Sequence, residues 1–569
     1  MEVLMSDYFD LGGYARQVTT VSAEAQAWFT RGLLWAYAFN HEEAVTCFER
    51  AIGADPDCAL AYWGLAYALG PNYNKPWDAF DSAEKSSVVS RAFAASAAAA
   101  SRAAGATAVE RALVGALAAR YPSAEPAADC SAWSAGYADA MREVYRSHPR
   151  DLDVATLFAD ALMNLTPWAL WNRATGEPAG GAGTLEAKAV LERALARGDG
   201  RAHPGILHIY IHLMEMSARP EDALRAGDLL RELVPEAGHL RHMPTHLDAL
   251  CGDYRQVVSS NTAAIAADEK FRAQRGAMNF YTLYRAHNYH FKIYGAMFLG
   301  QAQTALETAD QLAAAIPEEL LRVQIPPMAD WLEGFVPMKM HAAIRFGRWQ
   351  DIIAAPLPGD PGLYCVTTAM MHYAKGVAYA ATGRIGEATD HRRQFTAAVG
   401  RVPGSRTIFN NTCLDILQVA RAMLDGELEY RKANYDSAFA HLRHAVELDD
   451  GLPYDEPWGW MQPARHAYGA LLLEQGRVAD AEAVYRADLG LDGTLARACQ
   501  HPGNVWSLHG YHECLTRLGK HEPAAIIRQQ LTIAAAHADV PISSSCYCRL
   551  TPRSEDVDGP GDHERGQPE

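Results

Sequence analysis

Apolar and small residues recur at fixed intervals near the start of the chain. Trp28, Gly32, Trp35, Ala44, Phe48, Ala51 and Pro56 fall at positions 4, 8, 11, 20, 24, 27 and 32 of a 34-residue unit. Gly32 and Ala44 are small where two antiparallel helices must approach closely, and Pro56 stops the second helix. Later units show through their turn and the first small or branched residue of the second helix: Gly252-Asp253-Tyr254 with Val257, Gly300 with Ala305, Gly347-Arg348-Trp349 with Ile352, Gly383 with Ala388, Gly476 with Ala481 and Gly519 with Ala524. A less regular unit ends at Ala223, with Pro220 at the favoured first-turn position. Alternating Val/Ile/Thr runs bounded by Asn-Gly or Asp-Gly turns are almost absent, so strands are not expected.

This spacing is that of a tetratricopeptide repeat. It predicts an all-α, tetratricopeptide-repeat-like α-solenoid, a superhelix of helical hairpins able to close on itself. Residues 1–185 read as N-terminal repeats with inserted loops, 186–400 as central histidine-rich repeats and 401–550 as C-terminal repeats. Thr551–Glu569, rich in Pro, Gly and charge, reads as a disordered tail. Four segments break the period: Gly70–Trp77, Asn164–Trp168, the glycine-rich Gly176–Gly183 stretch and Tyr454–Trp458. Insertions in solenoids form loops, often on the binding side.

Histidine is the residue whose placement changes the picture. The chain has 22. Counted back from the turn positions 218, 252, 300 and 347, His208, His242 and His290 share one register, His212, His246 and His341 a second, and His239 and His287 a third. At about 100° per residue, His208, His212 and Glu215 share a helix face, as do His239, His242 and His246. Histidines at i and i+4 on one face have metal-ligand spacing, although the glutamate of the zinc-protease helix motif is missing here. A lone helical histidine is most often solvated or hydrogen-bonded. Eight at matching positions in consecutive units point instead to convergence on one patch of the inner surface. The sequence assigns His208, His212, His242, His246 and His290 as metal ligands. His239, His287, His341 and Glu215 would complete a second centre or support the first. Imidazole suits copper, iron and zinc; six or more histidines on paired helices favour copper. Pro244 is expected to kink its helix or mark its start.

Around this groove, Tyr210, Asn279, Tyr281, Tyr284, Asn288, Tyr289 and Trp331 would hydrogen-bond a small substrate or orient imidazoles, unless they simply pack. Arg285 and Lys75 would offset a substrate carboxylate, and Asp248 would face away. Cys546 and Cys548 read as plain surface cysteines, with metal binding or closure over the groove as the alternative.

Charge and composition remove several classes. The formal net charge of −17 disfavours nucleic acid and anionic membrane as partners. No apolar run suits a bilayer span, and the acidic start lacks the basic region of a signal peptide. With ten scattered cysteines this predicts a cytoplasmic protein with mostly free thiols. Phosphate-binding loops, dinucleotide fingerprints and nucleophile elbows are absent.

Phe39–Ala44, Gly70–Trp77, His208–Ser217, Gly238–Tyr254 and Ser544–Arg549 together carry a family resemblance. Along most of its length the chain resembles a group of bacterial and fungal tetratricopeptide-repeat proteins. The resemblance implies an α-solenoid with His-x-x-His-Met-Pro-x-His as a hallmark, and no activity. The residues themselves favour a metal-dependent enzyme, a histidine-ligated copper or iron oxidase or oxygenase acting on a small molecule. The alternatives are a scaffold that binds a protein or peptide partner and, less favoured, metal storage or delivery.

Overall fold

A computed structural model describes residues 8–549; the expected tail lies outside them. The fold is an all-α solenoid of tetratricopeptide-like hairpins. The first pairs Ala23–Tyr37 with His41–Ala54, capped by Ser22 and Asn40 side chains that accept from Ala25 N and Glu43 N. Phe48 fills the space between helices. A Cβ on Gly32 would lie 2.8 Å from its ring, and one on Gly64, in the Ala59–Leu69 helix, 2.3 Å. Small residues recur there because any side chain would collide with that ring.

The six turn glycines read from sequence, 252, 300, 347, 383, 476 and 519, all adopt left-handed backbone with φ between 63° and 84°. First and second helices of a hairpin differ in burial. Every residue of Pro204–Met214 is buried, and nearly every one of Thr282–Leu299. Ala302–Ala315, by contrast, buries only Ala305, Thr308, Ala309 and Leu312, a single helical stripe. The first helices are therefore interior.

The interior is closed rather than an open groove, because both ends fold back on the central hairpins. Asp10 and Glu236 exchange hydrogen bonds, and Arg275 pairs with Glu43 at 2.6 Å. At the other end Asp539 caps the Ala302–Ala315 helix through Ala302 N and Gln303 N, and Trp506 Nε1 donates to the Met297 carbonyl. The inserted loops meet across the middle: Arg173 stacks on Trp458 at 5.2 Å and donates to the Leu452 carbonyl.

One departure from the strand-free expectation is a two-residue hairpin, Thr407–Ile408 with Asn411–Thr412. Among the described residues no helix is long and apolar enough to cross a membrane. Cys546 and Cys548 are not surface cysteines. They are buried and joined to each other, with the neighbouring Ser545 and Cys548 carbonyls accepting from Arg345 and Arg431. Their thiols therefore offer nothing to a metal in this state.

Candidate metal centre

Four interior helical segments supply the histidines. His208 and His212 stand on Pro204–Met214. His239 and His242 stand on Gly238–His242, and His246 on Pro244–Cys251. Met243 between the last two segments keeps helical backbone, φ −49° and ψ −39°, so the rod continues. Pro244 begins its second piece; lacking an N–H, it omits one helical hydrogen bond. His287 comes from Thr282–Leu299.

These side chains form two triads. His208, His212 and His239 place one ligand atom each within 4.8 Å of one another, and so do His242, His246 and His287. His212, Glu215 and His246 make a third such group that joins them. The imidazoles are almost sealed from solvent, from 0% exposed at His208, His212 and His242 to 7% at His287.

The hydrogen bonds behind the rings fix which nitrogen faces inward. His208 Nδ1 meets the Tyr37 carbonyl at 2.6 Å, an acceptor only, so Nδ1–H donates and Nε2 keeps its lone pair. Nδ1 of His242 meets Asn261 Oδ1 at 2.7 Å. The Asn261 amide is oriented by its own Nδ2 donating to Val257 O at 2.8 Å. Glu215 serves both triads, one oxygen 2.9 Å from His212 Nδ1 and the other 2.7 Å from His246 Nδ1. A second carboxylate, Glu456, stands 3.1 Å from the same His246 nitrogen. Acceptors placed behind imidazoles in this way hold a ring ready to give its far nitrogen to a cation.

The inward nitrogens are short of partners. Nε2 of His208 and His212 and both ring nitrogens of His239 are buried and unpaired. His242 Nε2 and His246 Nε2 lie 2.7 Å apart although both rings spend Nδ1–H elsewhere, and His287 Nε2 is 3.4 Å from His246 Nε2. Two facing lone pairs repel unless a proton or a metal ion sits between them. Three nitrogens on one tetrahedral zinc- or copper-type ion at about 2.0–2.1 Å would be about 3.3 Å apart, close to this spacing. Burial, with mutual repulsion between the rings, pushes His208, His212, His239, His242 and His287 well below the ordinary histidine range, so they are neutral and able to act as ligands at pH 7. Burial and the nearby Glu456 push the Glu215 carboxyl up. Positive charge in the two triads would oppose that rise and let Glu215 accept from both rings as a carboxylate.

The triads differ in access. Phe39 lies over the first, its ring 4.6 Å from His208, 5.5 Å from His212 and 5.6 Å from His239. Tyr73 and Trp168 cover His212 further. The second triad borders a cavity of about 210 Å³ lined by His246 and His287 together with Trp168, Trp331, Phe409 and Glu456. Phe39, Trp168 and Phe409 share a backbone peculiarity, φ of 55°, 58° and 46°. Bulky residues rarely take this left-handed conformation, yet each of the three rings touches a triad histidine. Phe39 occupies the hairpin turn that glycine fills in six other units.

Two assignments from sequence change. His290 and His341 stay outside both triads. His290 packs on Phe335 and His341 on Trp460, and burial lowers both to about 3. The repeat register places them equivalently, but His290, nearly one turn beyond His287, stands against Phe335 and beside His341 rather than among the triad rings. His239 and His287, expected to complete a second centre or support the first, are members of the two triads. Tyr284 and Trp331 line the cavity as expected. Tyr210, Tyr281, Asn288 and Tyr289 are engaged by Glu192, Asp268 and Glu269, and Asn279 bonds the Gly276 carbonyl. Arg285 and Lys75 pair with Glu269 and Glu84 and do not line the cavity. Asp248 faces away, as predicted, onto Arg231.

Sequence reading missed Phe39, Asn261, Phe409 and Glu456. Glu456 and Trp168 lie in period-breaking segments, which was the usable signal. Asn261 and Phe409 carry none, being ordinary residues until the chain folds.

The sequence profile of the tetratricopeptide repeat matches residues 25–58. Comparison with curated proteins gave no match. Among solved structures, yeast Tom70 is 12% identical, with 89% of this chain and 99% of that one covered and a TM-score of 0.31. The APC/C hetero-tetramer Cut9–Hcn1 gives 13%, 83%, 74% and 0.30 in the same order, and the apo form of RapI 11%, 62%, 93% and 0.30. Similarity at this level carries no information about the histidines.

Proposed function

We propose that the chain is a metalloprotein whose two histidine triads hold transition-metal ions, copper before iron or zinc, and that it acts as an oxidase or oxygenase on a small molecule. One observation carries this reading: six buried imidazoles converge in two groups, Nε2 of His208, His212 and His239 without a partner and Nε2 of His242, His246 and His287 facing one another, while acceptors hold Nδ1 of four of them. A buried unpaired imidazole is costly, and a packed core would favour apolar residues at these positions. His208, His212 and His239 would hold one ion; His242, His246 and His287 would hold the other. A redox-active pair supplies electron transfer when bound. The protein contributes the neutral ligands, Glu215 linking both sets, and walls that exclude water from the sealed triad.

The alternative is a protein-interaction scaffold, supported by the tetratricopeptide match at residues 25–58. Burial of the inner helices leaves a partner the outer surface, so this reading gives the histidines no role. Metal storage or delivery would use the same ligands without turnover.

Metal analysis of untagged protein separates these readings. About one or two transition-metal ions per chain are expected, lost in His208→Ala/His242→Ala, with oxygen uptake on added substrate distinguishing catalysis from storage. Metal-free protein whose stability is unchanged in that double variant would leave the scaffold.

A further inference from the structure

The 210 Å³ cavity beside His246 and His287 has a chemistry of its own. Its walls are rings: Trp168, Phe280, Tyr284, Trp331 and Phe409. Phe409 is held there by the short hairpin through left-handed backbone. An apolar cavity of about 150 Å³ is enough for one benzene ring. The space here suits a single ring with a substituent or two and is too small for an extended peptide.

The polar end is acidic. Asp455 and Glu456 line the cavity, and no lysine or arginine among the described residues does. The nearest candidate by sequence, Lys75, gives its ammonium to Glu84 at 2.5 Å and to the faces of Phe80 and Phe280. Asp455 is occupied by the Asn411 amide at 3.0 Å. Glu456 is half used. Oε2 meets His246 Nδ1, while Oε1 is buried and has no partner, on a residue only 5% exposed. A buried acceptor left unpaired is a free-energy cost that a ligand donor removes. A ligand carboxylate would meet two acidic side chains and no lysine or arginine.

We propose that this cavity binds a single-ring aromatic molecule bearing a hydroxyl or amino group, its donor received by Glu456 Oε1 and its ring held among Trp168, Trp331 and Phe409. Seated so, the substituted end of the ring lies beside His246 and His287. The inference rests on the proposed function for its role as substrate site, but the binding needs only the cavity.

The test is equilibrium binding to the full-length protein, read by calorimetry and tryptophan fluorescence, with three probes of similar size: 4-methylphenol, toluene and 4-methylbenzoate. The phenol is expected to bind at least tenfold tighter than toluene, and the benzoate weakest. Glu456→Leu should bring phenol down to the toluene level, whereas Glu456→Gln, which keeps an acceptor oxygen, should retain most of the preference. Ala79→Phe, at the cavity wall, should abolish binding of phenol and toluene alike without touching Glu456. Equal affinity for phenol and toluene, a preference for benzoate, or phenol binding untouched by Ala79→Phe would overturn the assignment. Metal content measured on the same preparations keeps the two ideas apart. Loaded protein without phenol preference sinks the substrate class alone; metal-free protein with the preference sinks the metal reading alone.

Discussion

The two triads are built alike and enclosed differently. Each has three histidines from neighbouring helices, and each takes support from the same Glu215. The first is roofed by Phe39 and has no exposure above 1%, while the second borders a cavity and has His287 at its edge. The difference comes from what the chain adds around the repeats. A phenylalanine replaces the turn glycine over one triad, and the loops that break the period wall a cavity beside the other. On the proposed reading, equivalent ligand sets would hold one ion away from solvent and offer the other to a small molecule.

Glu215→Ala should have the largest effect because it removes what the triads share. The His212 Nδ1–H loses its acceptor and the His246 Nδ1–H keeps only Glu456, and a buried donor left unpaired costs about 1–3 kcal/mol. Chemical denaturation should register that loss, and metal analysis should show both ions depleted. Depletion of only one would mean the triads are not coupled through this carboxylate.

Phe39→Gly separates the triads from the sealed side. Losing a buried phenyl ring costs about 3–5 kcal/mol, offset by about 1–2 kcal/mol as the left-handed strain is relieved. A chelator should then strip the first centre faster while the second keeps its rate. Equal acceleration at both would show that the ring is no roof.

From the opposite side, Asn261→Ala withdraws the acceptor behind His242 alone. Losing such support weakens metal affinity about 10–100-fold, and competition titration should find the change at one ion per chain.

The smallest effect sharpens the contrast between triad histidines and those left out. His290 has a folded pKa of about 3, below the unfolded value of about 6.5. As pH falls the unfolded chain therefore binds the proton first. The stability is fully present above about 6.5 and erodes below it, down to the folded value. His290→Leu should raise stability at pH 5 by about 2 kcal/mol relative to its effect at pH 7.5, seen in thermal midpoints at the two pH values. An equal change at both would mean His290 is not buried as a neutral group.

Much of the fold was readable because a repeat states the same packing problem several times. Gly32, Ala44 and Phe48 announce a close helix pair, and the turn glycines announce each reversal. The site was readable to the extent that its ligands follow the repeat: His208, His212, His242 and His246 share two registers. The register misled at His290 and His341, since equal places in a unit do not guarantee equal surroundings where helices are interrupted and loops inserted. Pro244 omits one hydrogen bond from a rod that otherwise continues, and the segments around Trp168 and Glu456 fill what would otherwise be an open groove.

The sequence by itself determined the hairpins, their turns and the concentration of imidazole on the first helices, because helical periodicity and glycine's left-handed freedom are local properties. Only the tertiary structure decided which histidines meet, which nitrogen each presents and which triad is roofed. Those outcomes depend on contacts between residues far apart in the chain, such as Tyr37 with His208 and Glu456 with His246, and no local pattern encodes such distances.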